Sequence, residues 1–186
     1  MVKKSNWTRR KLSKIIFKKK TTRHRIKETL KTFRKTKKGL SCKRILSLTK
    51  GIFNFLGCFA QNVVTKLRFR SKPCFFFVNI DSTGSPGSHW IAIGLFKTTI
   101  EVFDPLGFTI FNWSQIPCSL LTFIHTHSTN RKLLISDKVQ SNFSTLCGFY
   151  CLFYVLSRPF LSFDAVQSFF SSKLYKNDSR LIKLFK

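Results

Sequence analysis

Four side chains in this sequence are of the types that acyl transfer through a thiol requires: Cys147, His89, Asp104 and Gln140. A thiolate attacks a carbonyl, and an imidazole takes and returns the proton. An acid orients the imidazole, and donors hold the developing oxyanion. Cys147 lies in VQSNFSTLCGFYC (139–151), where a polar loop runs into an apolar stretch. The stretch predicts a helix over Cys147–Ser157, stopped by Pro159. A cysteine opening a helix meets unpaired N–H groups and the positive end of the helix dipole, which favour an anion. Gly148 leaves room for a peptide backbone to approach, and Cys151 falls one turn deeper.

The histidine and the acid belong to a predicted hairpin. DSTGSPGS (81–88) is a loop, and His89 starts the strand after it. Ile100–Phe103 forms the partner strand, ended by DPLG (104–107). In an antiparallel pair, the start of one strand and the end of the next share a sheet edge, so His89 and Asp104 can meet. The strand lengths do not match, which predicts a bulge or a longer turn. Glu101 is the rival acid, but falls near the hairpin turn. His125 and His127 are rival bases without a similar acid nearby. Gln140, seven residues before Cys147, could donate to an oxyanion beside the Cys147 N–H.

Each residue also has an ordinary reading. A lone cysteine is more often a small buried hydrophobe, and a lone loop histidine or glutamine is more often solvated. Cys147 and Cys151 with His125 and His127 could supply four zinc ligands. Their spacing matches no common finger, and the cysteines sit in an apolar helix. The combination and order of residues carry the signal.

The elements that must position these residues follow from the pattern. ILSLTKGIFNFLGCFAQNVV (45–64) reads as a helix or turn segment interrupted by Gly51 and Gly57. Cys74–Ile80, Trp90–Phe96 and Ile100–Phe103 read as strands, with Leu133–Ser136 a short fourth. Ser114 could cap a helix with Pro117 in its first turn, running to about Ile124. Asp164–Tyr175 reads as another helix. A hairpin between helices points to an α+β class.

Charge divides the chain. Residues 1–72 hold 24 of the 34 Lys and Arg with one acid, Glu28, within a formal net charge of +27. Residues 1–44 are expected to be a basic arm, disordered by its own repulsion, ahead of a domain spanning 45–186. Ile15, Ile16, Ile26, Leu30 and Phe33 could form a short amphipathic helix on an acidic partner. The arm points to a polyanion, with nucleic acid the commonest and an anionic membrane surface the alternative. No secretory signal and no apolar run of membrane-spanning length is visible, so the six cysteines are expected to be free thiols in a reducing, intracellular compartment.

His-Trp (89–90), VFDPLGF (102–108) and VQSNFSTLCGFYC (139–151) together resemble the adenovirus-type cysteine endopeptidases, the adenain family. LGCFAQNVV (56–64) and CFFFVNIDSTGSPGSHW (74–90) resemble the family's flanking blocks, so the likeness covers about 45–160. It implies a papain-like site permuted in chain order, on a small mixed or antiparallel sheet with a central helix carrying the nucleophile. Cys147 would be nucleophile, His89 base and acid, Asp104 the orienting acid, Gln140 the oxyanion donor and Trp90 a cover for the His–acid pair. It also implies processing of viral precursor proteins in the host nucleus and virion. No cofactor would be needed for the chemistry, but DNA and a viral peptide would stimulate it. Residues 129–138 hold no cysteine, so a disulfide link to a peptide activator is not expected. The arm would then act as a built-in DNA tether. SUMO- and ubiquitin-like-deconjugating proteases share the His, Asp, Gln, Cys order and are the runner-up; small size and the PLGF run favour the viral type. A non-catalytic, basic nucleic-acid-binding particle protein is the competing class.

Overall fold

The computed structural model of the chain describes residues 9–16, 20–36, 38–52, 54–69, 73–107 and 116–186. Ser114 and Phe108, each given a part above, lie outside them. The architecture is α+β. The elements are α1 (Arg9–Ile16), α2 (Lys20–Thr36), α3 (Cys42–Thr49), β1 (Phe55–Ala60), β2 (Cys74–Asn79), β3 (Trp90–Leu95), β4 (Thr99–Phe103), α4 (Cys118–Ser128), β5 (Lys132–Ile135), α5 (Cys147–Ser157), α6 (Phe163–Ser168) and α7 (Asn177–Phe185). One mixed sheet has the order β1-β2-β3-β4-β5. β2–β3 and β3–β4 pair antiparallel, while β1 and β5 join the edges in parallel.

The sheet is covered on both faces, which explains the unbroken apolar run of β2. Phe75 and Phe77 face a core shared with α5, while Phe76 and Val78 face a second core shared with α4. Helix α5 is buried along its whole length, because CGFYCLFYVLS offers no polar face. It contacts β3 on one side and α1, α3 and α7 on the others.

That need for cover corrects the expected disordered arm. Leu12 and Ile16 of α1 and Ile26, Leu30 and Phe33 of α2 are buried in the same core as α5. Their i, i+4 and i, i+7 spacing puts each set on one helix face. The Phe33 ring meets Phe149 of α5 edge-on, with centroids 5.7 Å apart. Within residues 1–44, the described helices α1 and α2 therefore pack into the same core as the rest of the chain. Like charges remain on the exposed side, at Lys11, Lys14, Lys31, Arg34, Lys38 and Lys43.

Other expectations shift as well. Part of 45–64 is an edge strand, made possible by a register irregularity between Phe55 and Gly57. Asp164–Tyr175 is not one helix. Ser162 caps α6 through the Ala165 N–H at 3.2 Å, and α6 ends at Ser168. The Ser171 N–H then turns to the Asn177 side chain at 2.8 Å, and α7 begins there. Helix α4 runs four residues past the expected Ile124.

Truncating Ile26 to Ala is expected to lower the stability of the whole protein by about 2–5 kcal/mol in urea unfolding. An arm independent of the domain would leave the main transition unmoved.

Candidate active site

His89 is set by the loop before it. The Ser88 N–H donates to the Asp81 carboxylate, and the His89 carbonyl accepts from the Ile80 N–H at 3.2 Å. The β3–β4 register runs without interruption from Leu95↔Ile100 to Ala92↔Phe103. Neither the bulge nor the longer turn expected from strand lengths is present, since the Phe96 N–H meets the Thr99 carbonyl at 2.9 Å across a short turn. Continued by one pair, the register sets Asp104 opposite Ile91, so His89 lies on the diagonal, within reach of a long side chain. The His89 Nε2–H donates to Asp104 Oδ1 at 2.7 Å. The same carboxylate oxygen accepts from the Leu106 N–H at 2.9 Å, which fixes the acid in its own turn.

Cys147 begins α5, and its sulfur is near enough to the His89 ring to act on its charge. With Nε2 on Asp104, Nδ1 is the ring nitrogen left for the thiol. Burial works against charge on this imidazole. The Asp104 hydrogen bond, and next the neighbouring Cys147 sulfur, outweigh it and push the His89 pKa up to about 9. Cys147, His89 and Asp104 are each 7% exposed, so the group is nearly closed but not sealed.

Gln140 is held from three directions. Its N–H and that of Val139 both donate to the Pro105 carbonyl, at 2.8 and 2.9 Å. Thus the residue after the acid carries the loop that bears the glutamine. Gly107, at φ +87°, lets this turn lie flat on Lys138, where a Cβ would come within 2.7 Å of the Lys138 Cβ. Gln140 Nε2 donates to the Ser144 carbonyl at 2.7 Å and carries a second N–H, while its Oε1 is buried without a hydrogen-bonding partner.

The third direction comes from residues that the sequence reading passed over. Asn177 Nδ2 donates to the Val139 carbonyl at 2.8 Å. Asp178 Oδ1 accepts from Ser144 Oγ at 3.0 Å and from the Tyr150 hydroxyl at 2.7 Å. Helix α7 therefore ties the Gln140 loop to α5. An Asn-Asp pair opening a helix is a possible sequence signal, but the helix itself was missed.

The N-terminal region also reaches the site. The Trp90 indole N–H donates to the Leu40 carbonyl at 2.7 Å. A Cβ on Gly148 would come within 2.9 Å of the Leu40 Cβ, so the room this glycine leaves is taken by Leu40 and not, as expected, by an approaching peptide. Cys151 is fully buried, and its S–H donates to the Trp90 carbonyl at 3.2 Å.

The rival residues lie elsewhere. Glu101 is fully buried in a two-pronged pair with Arg158, at 2.7 and 2.6 Å, and accepts from Tyr154 at 2.8 Å. His125 and His127 lie on α4, across the sheet from α5, and His127 packs on Phe123. The four-ligand zinc reading fails because the sheet separates its halves. Among the described residues no group of three or more metal-ligating side chains forms.

The arrangement brings together a thiol, an imidazole and a carboxylate, with a primary amide on the loop tied to the carboxylate's turn. The His89 shift sets a pH test. Protonated His89 contributes stability fully below its ordinary value of 6.5, and that contribution is lost as pH rises through about 9. By NMR, the His89 midpoint should lie near pH 9 and move down in Cys147→Ala and in Asp104→Asn. A midpoint at the ordinary value in the parent would contradict the assembled triad. Compared with protein-family models and with curated proteins, the chain matches none.

Proposed function

We propose that the protein is a cysteine endopeptidase of the adenain type, which processes virion precursor proteins as particles mature. One observation carries this reading. The His89 ring bonds the Asp104 carboxylate at 2.7 Å and also feels the sulfur of Cys147, the first residue of a fully buried helix. Gln140, whose loop hangs on the residue after Asp104, and the His, Asp, Gln, Cys order support it further.

The chemistry follows from these roles. The Cys147 thiolate adds to the peptide carbonyl while His89 holds the proton. The Cys147 N–H and the second Gln140 Nε2–H stabilise the oxyanion. The intermediate collapses to a thioester as His89 protonates the leaving amine. Water, activated by His89, then releases the acid and restores the thiol. Asp104 keeps the ring oriented and stabilises the imidazolium.

The partner beside the protein substrate is DNA. Exposed Lys and Arg side chains on α1, α2 and α3 form a basic surface with one acid, Glu28, which is paired to Lys31 at 2.7 Å. Such a surface contacts phosphates and is not selective for base sequence. Among the described residues no helix is long and apolar enough to cross a membrane.

A thiol-specific inactivator is expected to label Cys147 far faster than the other five cysteines. A Gly-Gly-containing peptide should be cleaved by the parent and not by Cys147→Ser. Gln140→Ala is expected to lower kcat by about 10²–10³-fold. Six equally sluggish thiols and no turnover with DNA present would overturn the assignment. Cleavage restricted to ubiquitin-like conjugates would redirect it to the deconjugating proteases.

DNA affinity should fall by about 10³–10⁵-fold between roughly 50 and 200 mM salt for six to ten phosphate contacts. A salt-independent interaction would remove DNA from the proposal.

A further inference from the structure

We propose that Cys42 and Cys58 form a reversible disulfide that fastens the start of α3 to the edge strand β1. Neither thiol has a part in the chemistry above. Cys42 is the first residue of α3 and is exposed. Cys58 lies within β1 and is half-buried, on the side of the sheet that packs against the main core. Helix α3 packs against β1, and both side chains line one cleft of about 260 Å³ together with Leu40 and Trp90, near enough for the Cys42 sulfur to act on Cys58.

The exposed thiol is the one a soluble oxidant meets first. Burial, and next the neighbouring Cys42 sulfur, push the Cys58 thiol well up, so Cys58 is the slower partner. Cys151 is the other sulfur near Cys58, but it is fully buried and its S–H is taken by Trp90. The oxidant is a low-molecular-weight disulfide. The Cys42 thiolate attacks one of its sulfurs, forming a mixed disulfide and expelling one thiolate. Cys58 then gives up its proton and attacks the Cys42 sulfur, expelling the second. Two protein thiols lose two electrons in all, and the small disulfide becomes two thiols.

The bond would reach the candidate active site through two residues of chain. Leu40, just before the α3 cap, accepts the Trp90 indole N–H and packs against Gly148, next to Cys147. Fastening Cys42 to β1 holds Leu40 there independently of α1 and α2.

The folded full-length protein is treated with oxidised glutathione, its remaining thiols are alkylated, and it is digested without reduction. Lys43, Arg44 and Lys50 separate the two cysteines, so trypsin leaves them on different peptides. The expected result is one cross-linked Cys42–Cys58 peptide pair. It should be accompanied by a Tm raised by several degrees and reversed by a reductant. Cys42→Ser, at an exposed position, should fold normally, form no cross-link and leave Cys58 alkylated. Glutathione retained on Cys42 with Cys58 alkylated in the parent would overturn the disulfide. A cross-link that lowers Tm would overturn its role as a fastening. Neither outcome depends on peptide cleavage.

Discussion

Helix α5 has no side that can face water, and the rest of the molecule is arranged around that constraint. A helix apolar all round must be covered all round. The sheet covers one side, and α1, α3 and α7 cover the others. The cysteine at its first turn is thereby held on an element that cannot roll or shift without exposing Phe149, Phe153 or Tyr154. Rigidity of this kind suits the nucleophile's part proposed for Cys147, because a small misplacement of a reacting atom is costly.

The remaining site residues are tied to that fixed point by polar contacts. His89 and Asp104 come from adjacent strand ends, so their meeting is a property of the β3–β4 register. Gln140 lies on a loop without regular structure and takes its position from Pro105, Ser144 and the start of α7. Buried polar groups in such a network have few alternatives, because each lost partner leaves an unsatisfied group.

The sequence made some of this legible and hid the rest for identifiable reasons. Strands β2, β3 and β4 and helix α5 are apolar runs bounded by Gly, Pro and Asp, so their limits could be read nearly to the residue. His89 and Asp104 followed from that hairpin. Strand β1 was hidden because its pairing with β2 is a long-range event, and Gly57 within it and Gly51 before it read as turn signals. Helices α1 and α2 were misjudged by weighing charge above pattern. Leu12, Ile16, Ile26, Leu30 and Phe33 form an apolar stripe, and burying it against α5 outweighs the repulsion among exposed lysines. The part of Asn177 and Asp178 could not be read, because their partners lie 28 to 38 residues away.

The Pro105 carbonyl accepts from both Val139 and Gln140, one residue after the acid that holds His89. The acid and the amide donor therefore ride on one small rigid body. If β4 slides or tilts in a thermal fluctuation, both are carried the same way. The far side of the Gln140 loop is held to the helix through Ser144, Asp178 and Tyr150, so the loop is a strut that passes motion of the β4 turn on to α5.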